Sequence, residues 1–234
     1  MVPPSPLASP GRPSHVTAPI ASIPAASSAL PRRLIRRADY REMPWKNGGG
    51  VTLDIWTWPE DARQDDADIG ISIAPIVAPG PFSVFPGIER HITLIEGDGI
   101  TLVFGTDERR LAPLAPFVFD GGDAPVSRLE GGPVRVLNVK VRAGLWRAEV
   151  RAVAGTGGAM FDLEAGQCFA LHALKSRWRV SDAGDDRLVE AGDTFVTGGA
   201  GRLVINAPDA AAEALAVVFT PSRPVARFED GDAE

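Results

Sequence analysis

The chain has 234 residues, a formal net charge of −6 and a single cysteine. That length supports one large domain or two small ones with a real core. An acidic chain repels phosphate backbones, which argues against a general nucleic-acid binder. Cys168 has no internal disulfide partner, which fits a reducing compartment. No run reaches transmembrane length, so no membrane association is expected. The start MVPPSPLASPGRPSHV lacks a basic region followed by an apolar one, so it does not read as a secretory signal, and a cytoplasmic location is expected. Glycine (25) and proline (21) are both abundant, which suits sheets joined by turns better than helices.

In chain order, residues 1–31 carry eight prolines, among small residues. Such a segment buries too little surface to offset its ordering entropy, so residues 1–33 read as a disordered tail. A start codon assigned too far upstream would look the same. His15 in this tail is discounted. From Leu34 onward come short apolar or alternating runs: Val51–Trp58, Ile69–Val77, Ile92–Ile95, Ile100–Phe104, Pro116–Phe119, Val134–Val141 and Arg147–Val153. Cys168–Leu174, Trp178–Val180, Asp193–Val196, Gly201–Ile205 and Leu215–Phe219 follow. Glycine-rich breakers separate them, and this spacing predicts an all-β sandwich or barrel. Helix signals are confined to one turn at Arg36–Glu42 and another at Asp209–Ala214.

A faint repeat is visible. ITLVFGTDERRLAPLAPFVFDGG and RWRVSDAGDDRLVEAGDTFVTGG run strand, acidic turn, strand, aromatic strand and glycine. Each leads into an apolar strand, VRVLNVKV or GRLVINAP. A duplicated small barrel produces this pattern. The expected division is a first half at 34–145, a second at 146–228, and an acidic tail at 229–234.

Metal chemistry needs converging imidazoles and carboxylates. His91 and His172 have no histidine partner nearby in sequence, so no metal and no cofactor are expected. Cys168 lies in an apolar strand and reads as a core residue. Gly48–Gly50 lacks a Walker lysine or a G-x-G-x-x-G context. Three stretches remain. MPWKNGGGVTLDIW joins Trp45, Lys46 and Asn47 to three glycines ahead of a strand; its bland reading is a tight loop around a buried tryptophan. In ISIAPIVAPGPFSVFPGIERHITLIEGDG, Ser72, Ser83 and Arg90 are polar groups in an apolar setting. In VRVLNVKVRAG, strand alternation puts Asn138, Lys140 and Arg142 on one face and Leu137, Val139 and Val141 on the other. The polar face either meets solvent or lines a barrel, where an amide, an ammonium and a guanidinium would favour carboxylates.

These stretches, in this order, resemble the HutD/Ves family of bicupins, strongly over Leu34–Gly144 and more weakly to about Phe228. The resemblance implies an all-β bicupin of two packed cupin-like, jelly-roll barrels without the cupin metal histidines. It implies an association with bacterial histidine utilisation, where the protein binds or senses a small acidic metabolite such as N-formylglutamate or urocanate. Carried over by position, the pocket would use Trp45, Asn47, Ser72, Ser83, Phe85, Arg90 and Asn138. The family commonly has Trp-Arg before ISIA, where this chain has Ile69-Gly70, and methionine where this chain has Lys140. Lys140 is therefore expected to stand in, from a facing strand, for the missing cation. Glu89 beside Arg90 offers an alternative role for Arg90 in a structural ion pair.

The leading functional expectation is a metal-free binder of a small carboxylate. A metal-independent isomerase or hydrolase would need His91, His172 or Glu96 beside Arg90 and Asn138 as an acid–base pair. A scaffold protein with a vestigial pocket would fill that pocket with its own side chains. An exposed sheet face could pair two chains into a homodimer.

Overall fold

A computed structural model describes residues 32–45, 50–60, 62–63, 66–182 and 184–222. Strands dominate: β1 (Arg33–Ile35), β2 (Arg41–Pro44), β3 (Val51–Trp58), β4 (Ile69–Ile76), β5 (Gly80–Pro81), β6 (Ile88–Glu96), β7 (Ile100–Phe104), β8 (Asp107–Leu111), β9 (Phe117–Asp120) and β10 (Val126–Leu129). They continue with β11 (Val134–Arg142), β12 (Trp146–Ala154), β13 (Ala159–Leu163), β14 (Cys168–Lys175), β15 (Trp178–Asp182), β16 (Asp185–Val189), β17 (Thr194–Gly198), β18 (Gly201–Asn206) and β19 (Glu213–Pro221). The turn expected at Arg36–Glu42 is a single 3-10 turn at Arg37–Asp39, after which Arg41 already belongs to a strand. The turn expected at Asp209–Ala214 is non-helical, and β19 begins inside it because Ala212 and Ala214 are drawn into the core.

Four sheets result. A four-stranded sheet has the order β5-β10-β7-β8, and a six-stranded one β2-β3-β4-β11-β6-β9. A five-stranded sheet has the order β1-β17-β14-β19-β12, and the last β13-β18-β15-β16. Offset by eight strands, β4-β11-β6-β9 repeats as β12-β19-β14-β17, and β5-β10-β7-β8 repeats as β13-β18-β15-β16. The chain is thus a duplicated eight-stranded unit. The short β1 joins the sheet of the second unit through β17, while β2 and β3 extend that of the first beyond β4. The repeat is shifted from its sequence-level alignment in one place. GRLVINAP corresponds to the short β10, and the counterpart of VRVLNVKV is β19.

Three apolar layers separate the four sheets. The middle layer joins Ile69, Ile71, Ile73, Leu137, Val139 and Val141 to Cys168, Ala170, Val217 and Phe219 across the two large sheets. The first unit's layer includes Ile92, Leu94, Ile100, Leu102 and Val136; the second's includes Phe169, Leu171, Trp178 and Phe195. A strand covered on both faces must be apolar on both, which is why β4 and β14 read as nearly continuous apolar runs. Each fully buried large side chain here contributes about 1.5–3 kcal/mol.

Candidate functional site

The register settles which way the polar face of β11 points. Val134 and Val136 lie in the first unit's own core, whereas Leu137, Val139 and Val141 face the second unit. Asn138 and Lys140 therefore point into the first barrel. Asn138 sits opposite Ser72 on β4 and Ile92 on β6; Lys140 sits opposite Gly70 and Arg90. Asp54 on β3 pairs in register with Ser72, and Arg90 with Phe119 on β9.

Arg90 is the centre of this cluster. Only 5% of its surface is exposed. One terminal nitrogen donates to Asn138 Oδ1 at 3.1 Å, and the other to the Ser83 carbonyl at 3.2 Å. Its Nε is buried without a hydrogen-bond partner. The guanidinium lies 5.3, 5.4 and 4.9 Å from the ring centres of Phe82, Phe85 and Phe119. Such contacts attract a cation to the ring faces. Among the described residues no carboxylate stands within ion-pair distance of Arg90. Burial pushes its pKa down to about 10, so it stays charged at neutral pH. Glu89, the alternative ionic partner, instead accepts at Oε1 from His91 Nε2, 2.9 Å away.

Lys140 is 7% exposed and holds its ammonium 4.6 Å from the centre of the Phe85 ring. A Cβ at Gly70 would lie 3.4 Å from Lys140 Cε, so the lysine occupies the space a side chain at 70 would claim. Lys140, Asp54, Thr57, Ala67, Gly70 and Ile88 line a small cleft with about 10 Å³ open to the centre of a water molecule. Asp54 is buried and also pairs with the exposed Arg41 at 3.2 Å.

The remaining expected site residues are dispersed. Ser72 is buried beside Asn138; Ser83 contributes its carbonyl while the residue itself is exposed. Arg142 is taken up by Asp68, at 2.7 Å, and by the Ala67 carbonyl. Trp45 packs on the first unit's core and donates from Nε1 to Thr52 Oγ1 at 2.9 Å. Its ring lies 3.0 Å from where a Cβ at Gly50 would sit, which accounts for that glycine. Lys46 and Asn47 lie outside the described residues. Sequence reading missed Asp54, Phe82 and Phe119; the signals were an acid in the apolar run VTLDIW and two phenylalanines each beside a turn.

His91 lies on the face of β6 opposite Arg90, and His172 lies on β14 in another sheet. Glu96 pairs with Arg135. None of the three is brought to Arg90. Burial raises the Cys168 thiol to about 12, which suits a core residue and not a nucleophile.

The Phe85 loop is held by Gly121. Phe85 N donates to the Gly121 carbonyl at 2.6 Å, and Gly121 N to the Ile88 carbonyl at 2.7 Å. A Cβ at Gly121 would lie 2.6 Å from both the Phe85 and Ile88 oxygens. Gly121→Ala is therefore expected to cost about 1–2 kcal/mol through the forced shift. Urea unfolding checks this; a variant as stable as wild type would contradict the tight approach.

The duplicated strand order and its four-sheet stacking define a bicupin. Residues 37–215 match the family model described as HutD, and the chain belongs to that family. It is 39% identical over 125 residues to an uncharacterised 21.2 kDa protein in the hutC 3′ region of Pseudomonas putida, covering 53% of this chain and 65% of that one. It is 34% identical over 150 residues to protein Ves of Escherichia fergusonii, covering 62% of this chain and 75% of the relative. Among solved structures, HutD from Pseudomonas fluorescens superposes with a TM-score of 0.67 at 30% identity, over 82% of this chain and 99% of that one. A conserved protein of unknown function from Pseudomonas aeruginosa gives 0.74 at 28% identity, over 81% and 98%. Among the described residues no helix is long and apolar enough to cross a membrane.

Proposed function

We propose that the protein binds a small carboxylate metabolite, of the size of N-formylglutamate or urocanate, at the Arg90–Asn138–Lys140 end of the first barrel. The observation that carries this reading is Arg90: a buried guanidinium with no carboxylate at ion-pair distance among the described residues and with its Nε–H unpaired. Charge-assisted hydrogen bonds to an incoming carboxylate would satisfy that donor and neutralise the charge. Asn138 orients the guanidinium, the three phenylalanines hold its plane, and Lys140 adds the second cation in the space left by Gly70. The cleft beside Lys140 has room for about one water, so a metabolite entering there requires the Lys140 chain to swing aside. The P. putida relative in the hutC 3′ region supports placing the ligand among the acids of histidine breakdown, with a regulatory role for the complex.

A ligand that binds only the folded state raises the melting temperature with its concentration. N-formylglutamate or urocanate is expected to give a rise of a few degrees with the full chain, lost in Asn138→Ala. The tightness of the cleft favours a second reading, a scaffold whose pocket is filled by its own side chains. That reading requires no shift with any small acid. Turnover of either acid would instead make the protein an enzyme.

A further inference from the structure

Among the described residues, the duplication leaves one long sheet edge bare. In the first unit, β4 is covered on its outer edge by β3, and in the second unit β17 is covered by β1. The counterpart of β4 is β12, and no described strand pairs with its outer edge. β12 runs nine residues without a bulge against β19 and contains no proline, glycine or lysine. Bulges, proline and lysine are devices by which edge strands resist pairing, and the charges that β12 does carry, Arg147, Glu149 and Arg151, alternate in sign. The other edge strands of the large sheets, β1, β2 and β9, have only three or four residues each.

We propose that β12 pairs antiparallel with β12 of a second copy, joining the two five-stranded sheets across a two-fold axis. The charge pattern fixes the register. Arg147, Glu149 and Arg151 face an open groove shared with Met160 and Asp162 on β13, while Trp146, Ala148 and Val150 pack toward the middle layer. A continuous sheet keeps those faces aligned, so odd residues must meet odd ones. Centring the axis on Val150 pairs all nine residues. It sets Glu149 opposite Arg151 of the partner subunit, and Arg151 opposite Glu149 of the partner subunit. Centring on Glu149 or Arg151 opposes like charges. Centring on Ala148 also matches charges but overlaps only five residues, 146–150. Opposite charges directly across a pair stabilise it, and like charges destabilise it. Both side chains are about 60% exposed and paired only with each other along the strand, at 2.6 Å, so they are available to re-pair across the axis.

Sedimentation velocity of the full chain tests this. Wild type is expected to be a reversible dimer. Arg151→Glu and Glu149→Arg each oppose like charges twice and are expected to weaken the dimer about tenfold. Mixing the two single variants, or combining them in one chain, restores the opposite-charge pairs and the affinity. Circular dichroism confirms that the variants stay folded. A wild type that is monomeric throughout overturns the proposal. So does a dimer indifferent to the reversals, or one that the mixture and the double variant do not restore.

Discussion

Arg90→Met is expected to lower carboxylate affinity about a hundredfold or more while leaving the protein within about 1 kcal/mol of wild-type stability. The two halves of that expectation have different origins. Burial takes the guanidinium from its ordinary 12.5 to about 10, and a shift of that size corresponds to roughly 3 kcal/mol of unfavourable desolvation. Against it stand two hydrogen bonds, to Asn138 and the Ser83 carbonyl, worth about 1–1.5 kcal/mol each. Contacts with three rings add a similar amount in total. Methionine fills much of the same volume and its sulfur also packs well on ring edges. The exchange nearly cancels for folding, as replacement of buried charges by apolar groups often does. For binding nothing cancels, because the donor is gone. Thermal unfolding and ligand titration on the same sample separate the two. A variant that unfolds would show Arg90 to be scaffold; one that binds normally would remove it from the site.

Acidification through the histidine range is expected to cost about 3 kcal/mol through His172 alone. This side chain lies between the two large sheets, with Nδ1 2.9 Å from Thr194 Oγ1, which is itself 2.7 Å from the Tyr40 hydroxyl. Burial, helped by the positive charges of Arg135 and Arg37 and opposed by Asp193, pulls its pKa from 6.5 down to about 4. The folded state therefore favours the neutral ring. The stabilisation is complete above 6.5 and is lost as the pH falls from there to about 4, where the folded protein would also take the proton. His172→Gln keeps a polar partner for Thr194 without a titrating ring. Its urea midpoint is expected to fall less than that of wild type across this window. Parallel curves for the two proteins would contradict a neutral buried His172.

The architecture was legible because the strands that build the cores carry their burial in their sequence. Val51–Trp58 and Ile100–Phe104 match β3 and β7 residue for residue, and Val134–Val141 falls one short of β11. β8 (DERRL) and β16 (DDRLV) were read only as the strand after the acidic turn of each repeat, and β10 (VSRL) was not foreseen; all three are short and polar. They are strands because β7 and β15 offer them ladders, a tertiary effect that local preference does not carry. Missing β10 also displaced the repeat by one strand. At the site, alternation placed Asn138 and Lys140 on one face but left its direction open, since a barrel lumen and solvent both tolerate polar groups. The direction is set by the second unit, which packs on the odd-numbered face. Lys140 was expected to stand in, from a facing strand, for a missing cation; the structure places it buried against Gly70. Arg142 looked equivalent in sequence, yet it lies at the strand end, within reach of Asp68.

Isothermal titration calorimetry of N-formylglutamate and urocanate into wild type and Arg90→Met, side by side at neutral pH, tests the binding site most directly. At least one of the acids is expected to saturate one site per chain of wild type and to give no saturable heat with the folded variant. No binding of either acid to wild type, or equal binding to both proteins, would contradict a carboxylate site built on Arg90.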